Sequence, residues 1–349
     1  MVPGWPIVAS TAIVVLLAWA LSSRNGGGPT TSSFFWSTAD DEPIVDPAGR
    51  QWFGIHPKET ILYRDKSAYQ DIVVVEYMND VILFIDGVSQ FSSREEYRYH
   101  ESLVHPAMAA RLAAGTGTPL RVLLLGAGDG LAAREVLSYG GRVAKVDLVD
   151  LDPHITSLFK EDSARAIPRL VEMTKRSLTD PCLTLYHMCA RQFVVDAAVA
   201  GTSWDVVILD LPDPVSEPLS DLYSSEFYRE VLAVSAKGGL LVTQATGLLG
   251  RSGAFWTIEA TLRHAVAQEA AYRQITQEAD AWARPYAAYI PSWGEWGFVV
   301  ASVDSPAPHL NKWPLVPTDQ STKLSSSPEQ VRRRMSECMR LHNRYTFQR

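Results

Sequence analysis

Residues 204–219, WDVVILDLPDPVSEPL, run as an apolar strand into two carboxylates, Asp210 and Asp213, held by Pro212 and Pro214. A lone Asp before a proline is an ordinary turn cap. The pair at the end of an apolar run does more. It makes a stiff electronegative rim that can hold an ammonium group and accept its proton as the nitrogen becomes a nucleophile. Acids follow other apolar runs too: Asp129 lies inside GAGDG (126–130), and Asp150 opens DLD (150–152).

The glycine loop discriminates between ligands. A dinucleotide fingerprint requires G-x-G-x-x-G, but Leu131 stands where the last glycine should fall after Gly126 and Gly128. Asp129 would also repel a pyrophosphate approaching the following helix. A cationic nucleoside suits the loop better, because the glycines admit a ligand close to the backbone and Asp129 faces positive charge. Asp150, at the end of the next apolar run, is placed to accept both ribose hydroxyls. A purely structural turn is the competing reading of G-x-G-x-G.

These residues need a parallel sheet to gather them. From residue 119, LRVLLLG, LAAREVLSYG and KVDLVDLD read as strand, helix and strand, and CLTLYHM, ARQFVVDAAVA, WDVVILD, SSEFYREVLAVSA and GLLVTQA continue the alternation, with GFVVASV (297–303) as a late strand. In such a sheet ligands sit beyond the carboxyl ends of the strands, where the acids fall. Upstream, ETILYRD, DIVVVEYM and VILFIDGVSQF are short β-rich runs broken by MND and DG, which predict a small antiparallel sheet. The expected fold class is therefore α/β: a Rossmann-like nucleoside-binding domain of the class I methyltransferase type, preceded by a small antiparallel β domain. The expected divisions are an anchor over 1–24, a linker over 25–50, the β domain over 51–118, the catalytic domain over 119–303 and a tail with a basic amphipathic helix over 304–349.

The chain has 349 residues, 46% of them apolar, and a net charge of -7, which is enough to bury a core and leaves no basic face for nucleic acid. Its three cysteines, Cys182, Cys189 and Cys338, show no C-x-x-C spacing, so neither a disulfide framework nor a metal site is expected. Residues 5–21, WPIVASTAIVVLLAWAL, carry no charge and are long enough for a slightly short membrane helix. Arg24 follows directly, and the segment lacks the basic start of a secretion signal, so the expectation is a single-pass anchor with the catalytic part on the cytoplasmic side of the cell membrane. Cleavage after AWA is the alternative.

In order along the chain, YQDIVVVE (69–76), LFIDGVSQFSSREEYRYHE (83–101), LLLGAGDGLAAREVL (123–137), DLVDLDP (147–153), DLPDPVSEPLSDLYSSEFY (210–228), LLVTQAT (240–246) and PSWGEWGFVVAS (291–302) together resemble the spermidine synthase family of polyamine aminopropyltransferases. SGAFWTIEATLRHA and PSWGEWGF look most like its membrane-associated bacterial branch. The resemblance implies transfer of an aminopropyl group from decarboxylated S-adenosylmethionine to putrescine or a related amine, releasing methylthioadenosine, with no metal or resident cofactor. It implies a homodimer as well. Residue by residue, it makes Asp210 the proton acceptor, with Asp213 and Tyr99 beside it in catalysis. His100, Asp129 and Asp213 would bind the polyamine, and Gln70, Gly126, Gly128, Asp150, Cys189 and Ala190 the nucleoside.

The chain also departs from the family pattern. In YHMCARQF, Cys189 occupies the position of an acid that reads the adenine amino group, and a thiol is a poor acceptor beside a carboxylate. Glu217 stands at the place of a proline in DPVSEPL, and QATGLLG lacks an acid that binds the far amine of putrescine in several soluble members. Two other readings are a methyltransferase using intact S-adenosylmethionine on an amine and a membrane protein that binds polyamine without catalysis.

Overall fold

The computed structural model describes residues 44–45, 51–52, 60–115, 117–248, 252–277 and 281–306. The expected anchor, the linker and the basic helix of the tail lie outside these residues, apart from a two-stranded pair, β1 (Ile44–Val45) with β2 (Gln51–Trp52). No helix among the described residues is long and apolar enough to cross a membrane.

The first sheet is a four-stranded antiparallel meander of β3 (Thr60–Lys66), β4 (Asp71–Tyr77), β5 (Asp80–Ile85) and β6 (Val88–Ser92). The turn signals in the sequence act as expected. Met78 and Asn79 link β4 to β5 with φ of 49° and 65°, and Asp86 and Gly87 link β5 to β6 with φ of 50° and 78°, the positive pairs that fit the right-handed twist of a tight hairpin.

The second sheet has seven strands, ordered β12-β13-β11-β10-β7-β8-β9. Its parallel part is β7 (Leu120–Gly126), β8 (Val143–Asp150), β9 (Leu183–His187), β10 (Trp204–Asp210) and β11 (Ser235–Gly247). Two further strands extend it: β13 (Gly294–Ser302) pairs antiparallel with β11, and β12 (Trp282–Ile290) pairs antiparallel with β13, so the sheet is mixed rather than wholly parallel. Strand β7 reads as a continuous apolar run because both of its faces are covered: Val122 and Leu124 join one core cluster, Leu123 and Leu125 the other. Each such buried aliphatic side chain stabilises the fold by roughly 1.5–3 kcal/mol.

Helix α1 (Glu96–Ala113) contacts β10, β11, β12 and β13 of the large sheet, although it falls within the stretch expected as the small β domain. Its sequence hides it: Pro106 lies in its interior and polar residues such as Glu101, Ser102 and His105 are buried, which blurs the apolar stripe that marks a surface helix. Arg111 donates to Asp205 at 2.8 Å and ties its last turn to β10. The other helices are α2 (Leu131–Leu137), α3 (Pro153–Phe159), α4 (Pro168–Met173), α5 (Ala190–Val199), α6 (Glu217–Asp221), α7 (Ser225–Ala233) and α8 (Ser252–Tyr272). Together they make the Rossmann-like domain behind a small antiparallel sheet.

Candidate active site

The chain leaves β7 toward β8 on one side, while β10 flanks β7 on the other, so a crevice opens where the order reverses. The register pairs Gly126 with Asp210 at that point. Gly126 has a φ of +81°, and a Cβ there would lie 2.1 Å from the Asp210 carbonyl oxygen, so only glycine lets the two strand ends meet. Gly128 is equally constrained, since its Cβ would come within 2.5 Å of the Asp150 carboxylate. That close approach allows the Gly128 N–H to donate to Asp150 Oδ2 at 2.9 Å, while the Asp152 N–H donates to Oδ1 at 2.8 Å. Asp150 is thereby aimed, with one lone pair on each oxygen left for a diol.

Asp210 accepts a hydrogen bond from the Tyr99 hydroxyl at 2.6 Å. Tyr99 is held by rings on three sides, with Trp293, Trp296 and Phe298 centred 5.8, 6.3 and 5.5 Å away. His100, the next residue of α1, turns Nε2 toward Asp129 Oδ2 at 3.9 Å. Asp129 also accepts from the Leu131 N–H at 2.9 Å at the start of α2. Asp213 accepts at 3.2 Å from the Gln244 amide, which also donates to the Leu211 carbonyl and the Tyr223 hydroxyl. Gln70 donates to Asp152 Oδ2 at 2.8 Å, which brings the small sheet against the strand end that carries Asp150.

Burial raises the pKa of three of these acids. Asp129 and Asp150 are each pushed up to about 6, burial acting first and the charge of Asp210 adding to it. Asp210 is raised by burial, against the opposing pull of the His100 charge and the Tyr99 hydrogen bond. The charge of Asp210 acts on both Asp129 and Asp150. Burial would lower His100, yet the Glu96 hydrogen bond and the charges of Asp129, Glu96 and Asp210 carry it to about 9. Tyr99 is held well above the usual phenol range by burial and by Asp210, so it stays a hydrogen-bond donor.

The structure thus gathers Tyr99, His100, Asp129, Asp150, Asp210 and Asp213 with Gly126 and Gly128 around the strand ends. Gln70 reaches this edge only through Asp152. Cys189 precedes α5 with its side chain exposed and no capping hydrogen bond, and Ala190 opens that helix half-buried. The Met188 N–H donates to the Asp150 carbonyl at 3.1 Å, so Cys189 and Ala190 follow one and two residues after a contact with the Asp150 strand end. Glu217 opens the one-turn helix α6, exposed. Sequence reasoning passed over Asp152, Glu96, Gln244, Tyr223, Trp293 and Trp296. The local signals for the first two were the Asp before Pro153, which caps α3, and an acid four residues before His100 on one helix face.

A mixed α/β sheet with its crevice at the switch point, a glycine loop after the first parallel strand and acids along the rim defines a Rossmann-like α/β protein. Within that class the chain belongs to the spermine/spermidine synthase domain family, whose model matches residues 96–308. It is 41% identical over 244 residues to polyamine aminopropyltransferase 2 of Ralstonia nicotianae, covering 70% of this chain and 42% of that protein. It is 39% identical over 246 residues to the polyamine aminopropyltransferase of Oceanobacillus iheyensis, and 37% identical over 264 residues to that of Mycobacterium tuberculosis. The chain spans 42% and 44% of those two relatives. The crystal structure of spermidine synthase from Thermotoga maritima shares the fold at a TM-score of 0.61 and 20% identity, over 80% of this chain and 84% of that one. A spermidine synthase crystallised with the transition-state analogue AdoDATO superposes at 0.62, also with 20% identity.

Proposed function

We propose that this protein transfers the aminopropyl group of decarboxylated S-adenosylmethionine to putrescine or a related amine. The observation that carries the reading is the Tyr99–Asp210 hydrogen bond at the switch point, with Asp129 and Asp150 both within electrostatic reach of Asp210. An ammonium has no lone pair, so it must lose a proton before it attacks. Asp210 takes that proton, and the freed nitrogen attacks the methylene carbon next to the sulfonium. The new C–N bond forms as the C–S bond breaks, its electron pair returning to sulfur, and methylthioadenosine leaves as a neutral thioether.

The other residues position the two cations. Asp150 takes the ribose hydroxyls, Gly126 and Gly128 let the nucleoside approach the backbone, and Cys189 and Ala190 border the adenine. Asp129, Asp213 and His100 hold amine groups in line with the reacting carbon. Gln70, engaged by Asp152, closes the nucleoside side. The apolar segment 5–21 supports a cell-membrane anchor with the catalytic part cytoplasmic, and a homodimer belongs to the same reading.

The test is product analysis by mass spectrometry with decarboxylated or intact S-adenosylmethionine and a panel of diamines. Methylthioadenosine with an aminopropylated amine is expected. S-adenosylhomocysteine would replace the reading by methyl transfer, and binding of polyamine without any product would replace it by a sensor. Carbonate washing of membranes tests the anchor, and sedimentation tests the dimer.

A further inference from the structure

Glu96 has no part in the chemistry above, yet it lies behind His100 at 6% exposure, in the first turn of α1. His100 Nδ1 lies 2.8 Å from the Glu96 carbonyl oxygen and 2.9 Å from its Oε2. Arg134, from α2, clasps the same carboxylate through both terminal nitrogens at 2.8 and 2.9 Å and also pairs with Glu135 at 2.7 Å. Burial works against ionisation of Glu96, but the His100 hydrogen bond and the Arg134 guanidinium outweigh it and hold its pKa below the usual range. An ionised carboxylate and a carbonyl can only accept, so Nδ1 must carry the hydrogen. Nε2 is then the ring nitrogen whose protonation can change. It faces Asp129 from the loop after β7 and Asp210 from the end of β10, with Tyr99 and Glu96 on its own helix.

We propose that Glu96 is a positioning residue that locks His100 in the Nδ1–H form, so that Nε2 holds a proton while the amine site is empty and releases it to solvent when an acceptor ammonium binds. One positive charge leaves the acid cluster as another arrives, and the freed Nε2 lone pair accepts a hydrogen bond from the ammonium. The inference rests on the amine-binding reading above. It adds that amine and proton compete for the same acids, which links their affinities. The elevated pKa of His100 agrees with a proton held by the acids around it.

The experiment measures putrescine affinity in the presence of methylthioadenosine between pH 7 and 8.5, and counts protons released per putrescine bound using buffers of different ionisation enthalpy. Asp129 and Asp150 are largely ionised throughout this range, so they contribute little. Wild-type protein should release close to one proton at pH 8 and bind roughly tenfold tighter per pH unit gained. Glu96→Gln keeps an acceptor for Nδ1–H but removes the charge, so release should drop toward zero and the slope should flatten. A purely structural Glu96 would lower activity equally at every pH and leave slope and proton count unchanged, which would overturn the proposal.

If Glu96→Gln does not fold, histidine nitrogen NMR of the wild-type protein decides. Loss of the Nε2 proton on adding putrescine, with Nδ1–H kept, supports the exchange, and an unchanged Nε2–H overturns it. Failure of the wild type to form methylthioadenosine from any diamine would instead remove the functional reading, a result distinct from active enzyme whose His100 never changes state.

Discussion

Replacing Tyr99 by phenylalanine removes one oxygen and keeps the ring among Trp293, Trp296 and Phe298, so packing should survive. What is lost is the 2.6 Å hydrogen bond to Asp210. That bond favours the ionised carboxylate, while burial disfavours it more strongly. A hydrogen bond to a charged group contributes about 1.5–3 kcal/mol. At 1.36 kcal/mol per pKa unit, its loss should raise the Asp210 pKa by about one to two units. The sign follows from the role: a base must be ionised to act, so activity falls as pH drops through its pKa. The acid limb of the kcat profile should therefore move to higher pH by one to two units in Tyr99→Phe. On the acidic side of the limb the loss is about 10- to 100-fold, and at alkaline pH kcat recovers to within a few-fold of wild type. The assay is methylthioadenosine release at saturating donor and amine from pH 5.5 to 9.5, because kcat reports groups in the bound complex. An acid limb that stays in place, with kcat depressed equally at all pH values, would refute the assignment of Tyr99 as the group that sets the basicity of Asp210.

Asp210→Asn should cut kcat by about 10²–10⁴-fold while the melting temperature does not fall, since asparagine still accepts from Tyr99; a loss under tenfold would contradict the proton-acceptor role. Gly128→Ala places a Cβ 2.5 Å from the Asp150 carboxylate and must displace it, so the KM for the nucleoside donor should rise at least tenfold with a smaller change in the KM for the amine. Asp129 and Asp150 have folded pKa values raised from 3.8 to about 6, so their contribution to stability is present below the unfolded value and is lost as pH rises through 6. Ligand-free protein should accordingly be less stable, and melt lower, at pH 7.5 than at pH 5, by about 1.4 kcal/mol for each acid. Asp129→Asn should flatten that trend, as thermal melts across the range will show.

The strands of the small sheet and of the parallel part of the large one were legible in the chain itself, because alternation, apolar runs and residues tolerant of positive φ act over a few neighbours, whereas β12 (Trp282–Ile290) was not read as a strand. The acids at strand ends were legible for the same reason: a run such as WDVVILD stops being apolar where it leaves the core. What the chain could not show by itself was partnership across distance. Tyr99 and Asp210 are 111 positions apart and meet only because α1 packs on the large sheet, in contact with β10, and Glu96 meets Arg134 only because α1 lies against α2. Helix α1 itself was obscured by Pro106 and by polar residues that are buried rather than exposed. Local sequence thus determined which groups carry charge and where each strand ends. Strand order and helix packing decided which charges share one low-dielectric space, and proximity in that space sets the basicity of Asp210 and the protonation of His100.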